Sequence, residues 1–474
     1  MNAGDVRAAL DALRQHDLPT HGGRTLAYVY DSGLAEADAL GREALAAYGS
    51  TNALDPTAFP SLRRMEQDLI ATAAQLLDGP AETVGSVTSG GTESILLAVQ
   101  TARDARPDIA RPNMVLPSSA HGAFHKAAHY FGVRPIVVPV DAESGRAVAS
   151  AMAHAITDDT VLVAASAPSY AHGVIDPITQ IATDAQARGV RCHVDACIGG
   201  WLLPYLRRDN PEIPAFSFLV PGVTSISVDL HKYAYTPKGA SILLHRSPEL
   251  RRPQFFATAG WPGYTMINST LPSTKSGGPL AAAWAVTRFI GDDGYAALAR
   301  RVRDGMSFLV EATSTLEHLR LLVPPDASLA AFAADDQVDV FTVCDELLTR
   351  GWYAQPQLSF GPFPATLHVS ISPATVPALP DLVAALRESV NAAAALGPVT
   401  ADPAVVAALA TLDPAALDEA AFSGLLQAAG LADAGGLVLP ERMAGVNALL
   451  DAAPGPVREA LVTAFVDQLS RPVG

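Results

Sequence analysis

Short runs of Val, Ile and Leu alternate with helix-length segments through the middle of the chain, between residues 84 and 246. Crossover helices between short apolar strands are typical of a mostly parallel sheet with both faces covered. The pattern therefore predicts an α/β fold that gathers ligands at the carboxyl ends of its strands. We predict strands at 84–88, 114–117, 135–140, 161–166, 191–194, 225–228 and 240–245, and helices at 92–104, 121–131 and 177–188.

The segments outside this central block differ from it in composition and turn content. We divide the chain into an N-terminal helix and arm at 1–60, a large domain at 61–290, a smaller α/β domain at 291–396 and an Ala/Leu/Pro-rich helical extension at 397–474. The smaller domain carries a long helix and two apolar strand candidates, 338–343 and 366–371. The central block is the part in which we expect the chemistry.

A glycine-rich turn joins the first predicted strand to the next helix, with the sequence Thr-Ser-Gly-Gly-Thr-Glu-Ser at residues 88–94. Backbone N–H groups and hydroxyls at a helix N-terminus bind anions. The turn lacks the lysine of a nucleotide-binding loop and the glycine spacing of a dinucleotide fold. Alone, it leaves open a purely structural turn or a phosphate site at Gly90, Gly91 and Thr92.

Two charged side chains follow other predicted strands. Asp195 ends a short apolar strand, where a buried carboxylate needs a cationic partner unless it only caps the next helix. Lys232 directly follows His231 at the end of another strand. If these strands are neighbours, Lys232 lies near Asp195 and the glycine turn, as an imine-forming lysine requires.

Together, the three segments indicate a particular cofactor more specifically than any one of them does alone. A phosphate cradle, a carboxylate for a pyridinium nitrogen and an amine for a Schiff base are the groups that hold pyridoxal 5'-phosphate. His121 adds an imidazole that would lie over a planar ring, although an ordinary surface or core histidine is a common alternative. The sequence therefore predicts a pyridoxal phosphate enzyme, with no metal site.

At this level of detail the chain resembles the group II pyridoxal-phosphate decarboxylase family, and in particular its sphingosine-1-phosphate lyase branch. The resemblance covers about residues 30–372, and its strongest stretches lie at 58–66, 87–95, 121–132, 167–178, 193–200 and 225–239. It implies the fold-type I, aspartate aminotransferase-like architecture. It also implies a homodimer in which both chains contribute to each active site.

The resemblance implies a role for each cofactor residue. Lys232 would form the Schiff base, Asp195 would pair with the pyridine nitrogen, and His121 would stack on the ring. Gly91, Thr92 and His231 would hold the cofactor phosphate.

The resemblance also implies a substrate pocket lined by Tyr30, Asn52, Tyr170 and Lys238. In the lyases, such donors and a cation neutralise a substrate phosphate. Tyr30 and Tyr170 are catalytic candidates because a phenol can carry a proton, as can His172 and Lys232.

Two positions depart from the family pattern. Residues 52–55 are Asn-Ala-Leu-Asp where the lyases carry Asn-Pro-Leu-His, so Asp55 puts a carboxylate where a phosphate donor is expected. Residues 273–278 replace a Gly-Ser-Arg-Pro-Gly-Gly pattern, and Lys275 lacks the bidentate fork of the arginine. The substrate-binding end has therefore changed more than the cofactor-binding end.

The activity implied by the resemblance is that of a lyase. Retro-aldol cleavage would convert a phosphorylated β-hydroxyamine to an aldehyde and a phosphorylated amine, and Tyr170 and Lys238 favour this reading. Asp55 and Lys275 favour an alternative, an amino-acid decarboxylase or β-hydroxy amino acid lyase. A third alternative is a non-catalytic fold-type I binding protein, which the presence of Lys232 opposes.

Charge and composition exclude other classes of function. The formal net charge is −16 and is spread along the chain, which disfavours a nucleic-acid or anionic-membrane surface. No run approaches 18 apolar residues, so we expect no integral membrane association. Three cysteines without metal-ligand spacing fit a reducing compartment. We therefore expect a cytoplasmic enzyme acting on a small-molecule amine.

Overall fold

The computed structural model describes residues 1–414, 420, 422, 424, 432–433, 436–437 and 440–472. The chain divides into two compact units. The first comprises Met1–Leu309, Val323–Ala330 and Ser370–Leu379, and the second comprises Val310–Leu322, Ala331–Val369 and Pro380–Gly474. The chain crosses between these units several times, whereas the four predicted segments are continuous, and their boundaries stay a prediction.

The first unit contains a seven-stranded sheet. Its strands are β1 (Val84–Thr88), β2 (Asn113–Pro117), β3 (Arg134–Val138), β4 (Thr160–Ser166), β5 (Arg191–Asp195), β6 (Val223–Asp229) and β7 (Ser241–His245). Their order across the sheet is β1-β7-β6-β5-β4-β2-β3. The strands from β6 to β3 run parallel, and β7 is antiparallel to both β6 and β1. The predicted α/β fold with a mostly parallel sheet is confirmed.

Burial follows position in this sheet. Every residue of β2, β4 and β7 is buried, whereas most of β3, at the sheet edge, is exposed or half-buried. The helix Gly91–Asp104 buries most of its length and shares a core cluster with the helix Ala123–Phe131 and with β2 and β4. Covered strands of this kind read as continuous apolar runs, which is why all seven could be located from the sequence.

Helices and turns complete the first unit. The helices are Ala3–Leu13, Ala35–Ala47, Pro60–Leu76, Gly91–Asp104, Ala123–Phe131, Ala149–Ala155, Ile178–Ala187, Leu203–Asp209, Pro248–Arg251 and most of Gly277–Thr313. Short 3-10 turns lie at Gly199–Trp201, Arg252–Gln254 and Val376–Ala378, and a small hairpin pairs Phe256–Thr258 with Met266–Asn268. The long helix is interrupted at Gly291, whose φ of 63° lies in the left-handed region that favours glycine.

Within its described residues, the second unit carries most of a four-stranded sheet and five helices. The strands are Leu319–Leu321, Leu329–Ala334, Thr366–Ser370 and Gln355–Gln357, in that order across the sheet. The helices are Val340–Thr349, Leu379–Leu396, Pro403–Thr411, Ala444–Ala452 and Gly455–Leu469, and Ala432–Asp433 pairs with Gly436–Leu437.

The strand predicted at 338–343 is wrong, because these residues enter the helix Val340–Thr349. Asp339 caps this helix, accepting a hydrogen bond of 2.7 Å from the backbone N–H of Thr342. The first eight helical residues are all buried, so a helix here has the continuous apolar sequence of a covered strand. Periodicity alone does not separate these two cases.

The predicted helical extension falls partly outside the described residues, mainly between 415 and 439. In the described part of the extension, the backbone N–H groups of Met443 and Ala444 donate hydrogen bonds to Asp345 of the helix Val340–Thr349. Asp345 therefore caps the helix Ala444–Ala452. No helix within the described ranges is both long and apolar enough to cross a lipid bilayer.

Candidate active site

The strand ends β4, β5 and β6 lie side by side at the carboxyl edge of the large sheet. Asp195 ends β5 and pairs in register with Ser227 of β6, two residues before the end of that strand at Asp229. Ser166 ends β4 opposite Asp195. The neighbouring strands required to bring Asp195 close to the segment of Lys232 are therefore present.

Lys232 forms a buried ion pair with Asp229. The Lys232 Nζ atom lies 2.9 Å from Asp229 Oδ2, and the aspartate side chain is only 2% exposed. Burial, the largest single influence, opposes the charged form of Lys232, but the Asp229 carboxylate together with Tyr30 and Cys197 raises the pKa of the amine well above its ordinary value. Burial likewise opposes the charged form of Asp229, yet Lys232 and His231 hold its pKa below the ordinary value.

The glycine turn packs directly against this pair. A Cβ atom on Gly91 would lie 2.7 Å from Cys197 Sγ and 2.8 Å from Asp229 Oδ1, which no side chain could accommodate without displacement. A Cβ atom on Gly90 would lie 3.4 Å from His231 Cε1. The turn, Cys197 and the segment 229–232 therefore meet at one place.

A second acidic residue, Glu93, holds the glycine turn in place through hydrogen bonds. The Glu93 carboxylate accepts hydrogen bonds of 2.6 and 2.8 Å from the backbone N–H and hydroxyl of Ser89, and one of 2.7 Å from the backbone N–H of Leu271. This carboxylate fixes the turn, so the backbone donors at Gly91 and Thr92 begin the next helix in a defined position.

Asp195 lies on the other side of Cys197. It is 9% exposed, and its Oδ1 accepts hydrogen bonds from the Cys197 backbone N–H at 3.1 Å and the Ser227 hydroxyl at 3.4 Å. Burial, Asp195 and Asp229 all raise the pKa of the Cys197 thiol, which Lys232 opposes. The thiol therefore lies between the two carboxylates and is neutral at ordinary pH.

His231 faces the same cluster. Its Nε2 lies 3.6 Å from Asp229 Oδ2, and its Nδ1 accepts a hydrogen bond from the Ala240 backbone N–H at 3.2 Å. Burial lowers the pKa of His231 to about 4 despite the nearby carboxylate. A neutral imidazole that carries its proton on Nε2 can donate to an anion at the glycine turn.

These residues fit pyridoxal phosphate. A backbone cradle that only glycine permits, a buried carboxylate at Asp195 and a lysine at Lys232 are the groups that this cofactor needs for its phosphate, its ring nitrogen and its aldehyde.

Three tyrosines line the other side of Lys232. The Tyr30 and Tyr233 rings meet edge to face with centroids 5.1 Å apart, and the Tyr233 hydroxyl donates to the Ile371 carbonyl at 2.8 Å. Burial raises the pKa of Tyr30 and of Tyr170, and the nearby Lys232 opposes the rise in both. Tyr30 and Tyr170 are thus neutral phenols beside the lysine.

Lys238 is exposed to solvent and lies beside the tyrosines. Its Nζ donates to the Tyr28 carbonyl at 2.7 Å and lies 5.1 Å from the centre of the Tyr30 ring. Burial of the ammonium and repulsion by Lys232 lower the pKa of Lys238 to about 8. Tyr28 adopts a left-handed φ of 65°, unusual for a tyrosine, and this conformation presents its carbonyl to the lysine.

Other predicted site residues lie apart from this cluster. His121 is exposed, on the loop after β2, and its Nδ1 accepts from the Ala123 backbone N–H at 3.2 Å. Because β4 lies between β2 and β5, stacking of His121 on a ring stays a prediction. His172 is 7% exposed and packs against the turn at Gly145.

The two positions that depart from the family pattern are engaged elsewhere. Lys275 Nζ lies 2.7 Å from Glu66 Oε1, which also accepts from the Val87 backbone N–H at 2.8 Å. Asp55 is fully exposed and accepts from the backbone N–H of Thr57 at 2.8 Å and from its hydroxyl at 2.6 Å, which lowers the pKa of Asp55.

Asn52 joins these positions through the backbone. It forms a bridge with Ser276, and its own Oδ1 accepts from the Leu54 backbone N–H at 3.1 Å. The segments 52–55 and 275–276 are therefore adjacent. No described contact brings them to Lys232.

Sequence reasoning missed two contributors to the cluster. Asp229 stands three residues before Lys232, and an acidic residue at the end of an apolar strand was a signal that could have found it. Tyr28 contributes a backbone carbonyl, for which the sequence holds no comparable signal.

Two family descriptions match the chain. The pyridoxal-dependent decarboxylase conserved domain matches residues 21–332. The C-terminal putative HTH domain of pyridoxal-dependent enzymes matches residues 403–468, within the predicted extension.

Curated relatives carry the name sphingosine-1-phosphate lyase. That of Dictyostelium discoideum is 39% identical over 331 residues, which are 70% of this chain and 61% of the relative. That of Arabidopsis thaliana is 37% identical over 368 residues, 76% of this chain and 66% of the relative. The chain thus spans less than two thirds of the length of these relatives.

Solved structures agree with the fold. The sphingosine-1-phosphate lyase of Burkholderia pseudomallei superposes with a TM-score of 0.78 at 34% identity, covering 83% of this chain and 92% of that one. Glutamate decarboxylase of Lactobacillus brevis superposes with a TM-score of 0.75 at 17% identity, covering 83% and 93%, a likeness of fold alone.

Proposed function

Because the chain belongs to the pyridoxal-dependent decarboxylase family, we propose that it is a carbon–carbon lyase acting on a phosphorylated β-hydroxyamine. The products would be an aldehyde and a phosphorylated amine. The observation that carries this proposal is the second ammonium, Lys238, held beside Tyr30 next to the buried Lys232. The relatives named sphingosine-1-phosphate lyase support the same substrate class.

Pyridoxal phosphate is the cofactor of this family. We propose that the glycine turn and His231 hold its phosphate, that Asp195 faces its ring nitrogen, and that Lys232 holds its aldehyde carbon. His121 would cover the ring. When bound, the cofactor withdraws electrons from the bonds at the substrate Cα.

The residues of the chain would then decide which substrate bond breaks. Tyr30 and Tyr170 stay protonated at neutral pH, so each can donate a hydrogen bond to a substrate hydroxyl or pass a proton at that oxygen. Lys238 would neutralise the substrate phosphate. Since the pKa of Lys238 is about 8, its charge is present at pH 7 and is lost as the pH rises above 8.

A specific observation favours a second candidate, an amino-acid decarboxylase or a β-hydroxy amino acid lyase. Asp55 presents an exposed carboxylate at the position where lyases carry a phosphate donor, and Lys275 is tied to Glu66. Both changes weaken the case for a phosphate at that end.

We further propose a cytoplasmic homodimer with shared active sites. An exposed apolar patch on the hairpin segment supports association with a second copy, and its residues are Phe256, Trp261, Tyr264 and Ile267. The three cysteines are all free, as in a reducing compartment. Light scattering of the pure protein tests the assembly, and a monomeric mass would contradict it.

A product screen tests the reaction. The cofactor-loaded protein would be incubated with sphinganine 1-phosphate and, separately, with a pool of amino acids, and the products identified by mass spectrometry. Long-chain aldehyde with phosphoethanolamine is the expected result. An amino-acid product lighter by CO2 would instead establish a decarboxylase, and an aldehyde with a smaller amino acid would establish a hydroxy amino acid lyase. Lys232→Ala is the control for each.

A further inference from the structure

Asp229 is a buried carboxylate with no part in the proposed function. It lies against the glycine turn, 2.8 Å from where a Cβ atom of Gly91 would be. A negative charge at a phosphate-binding turn repels the phosphate, so binding of that group does not explain its presence. Its Oδ2 instead lies 2.9 Å from Lys232 Nζ and 3.6 Å from His231 Nε2.

We propose that Asp229 is a positioning residue that holds the Lys232 ammonium at the cofactor site before pyridoxal phosphate arrives, and that sets the pH at which this amine becomes free to react. The inference rests on the proposed role of Lys232. It adds a step that precedes the reaction, the capture of the cofactor by the empty chain.

Among the groups around Lys232, Asp229 does the most to stabilise the charged form of this buried amine. Tyr30 of the N-terminal arm and Cys197 after β5 also face the amine, but the pKa of each is raised, so both are neutral at pH 7. Lys238 repels it, and His231 is neutral at that pH.

Two further phenols near Lys232 carry no charge at pH 7. Tyr170 and Tyr233 lie close enough to interact with it, and burial raises the pKa of both. Of the groups found to influence this amine, Asp229 is the one that supplies a negative charge at neutral pH. Without it, burial and Lys238 would favour the neutral amine.

Capture of the cofactor would be a condensation of the Lys232 amine with an aldehyde that releases water. The Lys232 ammonium loses one proton, for which Asp229 Oδ2 is the adjacent acceptor. The nitrogen lone pair attacks the aldehyde carbon and a carbon–nitrogen double bond forms. The carbonyl oxygen leaves as water with the two remaining amine hydrogens. The rate of this step depends on the fraction of neutral amine, which Asp229 keeps small.

Competitive acetylation of the cofactor-free protein tests the inference without any catalytic reaction. The chain has four lysines, Lys126, Lys232, Lys238 and Lys275, so acetylation can be assigned to each position by fragmentation of its peptide in the mass spectrometer. Lys126 is exposed and serves as the internal reference. The protein is labelled with acetic anhydride between pH 6 and pH 10, as wild type and as the isosteric variant Asp229→Asn.

In Asp229→Asn, the labelling profile of Lys232 should move to lower pH, while that of Lys126 stays in place. Below the pKa, reactivity should rise about tenfold for every unit by which the pKa of Lys232 falls. An unchanged Lys232 profile in a variant with a wild-type melting temperature would overturn the inference.

The wild type alone provides a test that does not depend on folding of the variant. Lys232 should become reactive at a higher pH than Lys238, although Lys232 is the less exposed of the two. The reverse order would show that Asp229 does not hold the ammonium form.

Cofactor capture separates this inference from the proposed function. The visible absorbance of lysine-bound pyridoxal phosphate is followed after mixing, as a function of pH, at saturating cofactor. Lys232→Ala should lose the band, and Asp229→Asn should reach its maximal rate at lower pH than wild type. A retained band in Lys232→Ala would refute the lysine assignment. A lost band there with a wild-type profile in Asp229→Asn would refute only the role of Asp229.

Discussion

The residues proposed to bind the cofactor, here called the cofactor end, are organised differently from the positions that depart from the family pattern, Asp55 and Lys275, here called the substrate end. At the cofactor end, Asp195, Asp229 and Lys232 are held by adjacent strand ends of one sheet and are mostly buried. At the other end, Asp55 is an exposed turn residue and Lys275 is paired with Glu66. Changes at the first end disturb a packed cluster, whereas a change at Asp55 alters charge with little disturbance of the core.

This difference indicates which positions can change substrate specificity without loss of the fold. A buried cluster that holds an ion pair such as Lys232 with Asp229 tolerates few substitutions. An exposed loop residue can change its charge with small effects on stability. Of the two departures from the family pattern, Asp55 lies on an exposed turn, whereas the Lys275 side chain is only 14% exposed and is paired with Glu66.

The largest effect is expected at the cofactor end from Lys232→Ala. The variant should lose the visible absorbance of the bound cofactor and all turnover, because Lys232 is the lysine that pairs with Asp229 against the glycine turn in the described structure. Absorbance spectra and circular dichroism of the purified variant check this. Wild-type absorbance in a folded variant would remove the contrast between the two ends.

The next largest effect is expected from Gly91→Ala. Its Cβ atom would meet Cys197 Sγ at 2.7 Å and Asp229 Oδ1 at 2.8 Å, so the turn must shift. Overpacking of this kind costs about 1–3 kcal/mol, and we expect weaker cofactor binding together with a lower melting temperature. Gly445→Ala is the matched control, because a Cβ atom there meets nothing within 4 Å. Equal effects of the two would show that the turn is not tightly packed.

Asp55→His should raise activity on phosphorylated amines several-fold, since unit charges about 4 Å apart in water interact by roughly 1 kcal/mol. Asp55→Asn separates charge from geometry, because it removes the charge while keeping an oxygen for Thr57. Kinetics on a phosphorylated and an unphosphorylated amine measure the change. If neither variant improves turnover of the phosphorylated amine, the substrate end differs at other positions as well.

Lys275→Met should have the smallest effect on the cofactor. It removes the ion pair with Glu66 but keeps the length of the side chain, and we expect a loss of about 1–3 kcal/mol in the free energy of unfolding because the mostly buried carboxylate loses its partner. Denaturant unfolding and cofactor titration measure the two quantities. A large loss of cofactor affinity would mean that this lysine belongs to the cofactor end after all.

The same contrast explains what the sequence could and could not predict. Asp195, Lys232 and the glycine turn follow apolar strands, and strand order brings such positions together, so their convergence followed from the pattern. Asp229 lies within the same motif, but its pairing with Lys232 depends on side-chain geometry. The pairing of Lys275 with Glu66 joins residues 209 apart in sequence, which local patterns do not encode.

Elsewhere in the fold, local pattern was misleading. The apolar run at 338–343 begins a helix buried along its first eight residues, and no alternation marks it as a helix. The role of Tyr28 depends on a left-handed backbone conformation, which a tyrosine rarely adopts. Both features depend on tertiary contacts rather than on local preference.

Borohydride reduction of the cofactor-loaded protein, followed by peptide mapping, tests the central claim most directly. Reduction fixes the cofactor to whichever lysine holds it, and the four lysines lie at positions that peptide mapping can distinguish. The account predicts one labelled peptide, containing Lys232. Label on Lys126, Lys238 or Lys275 would contradict it.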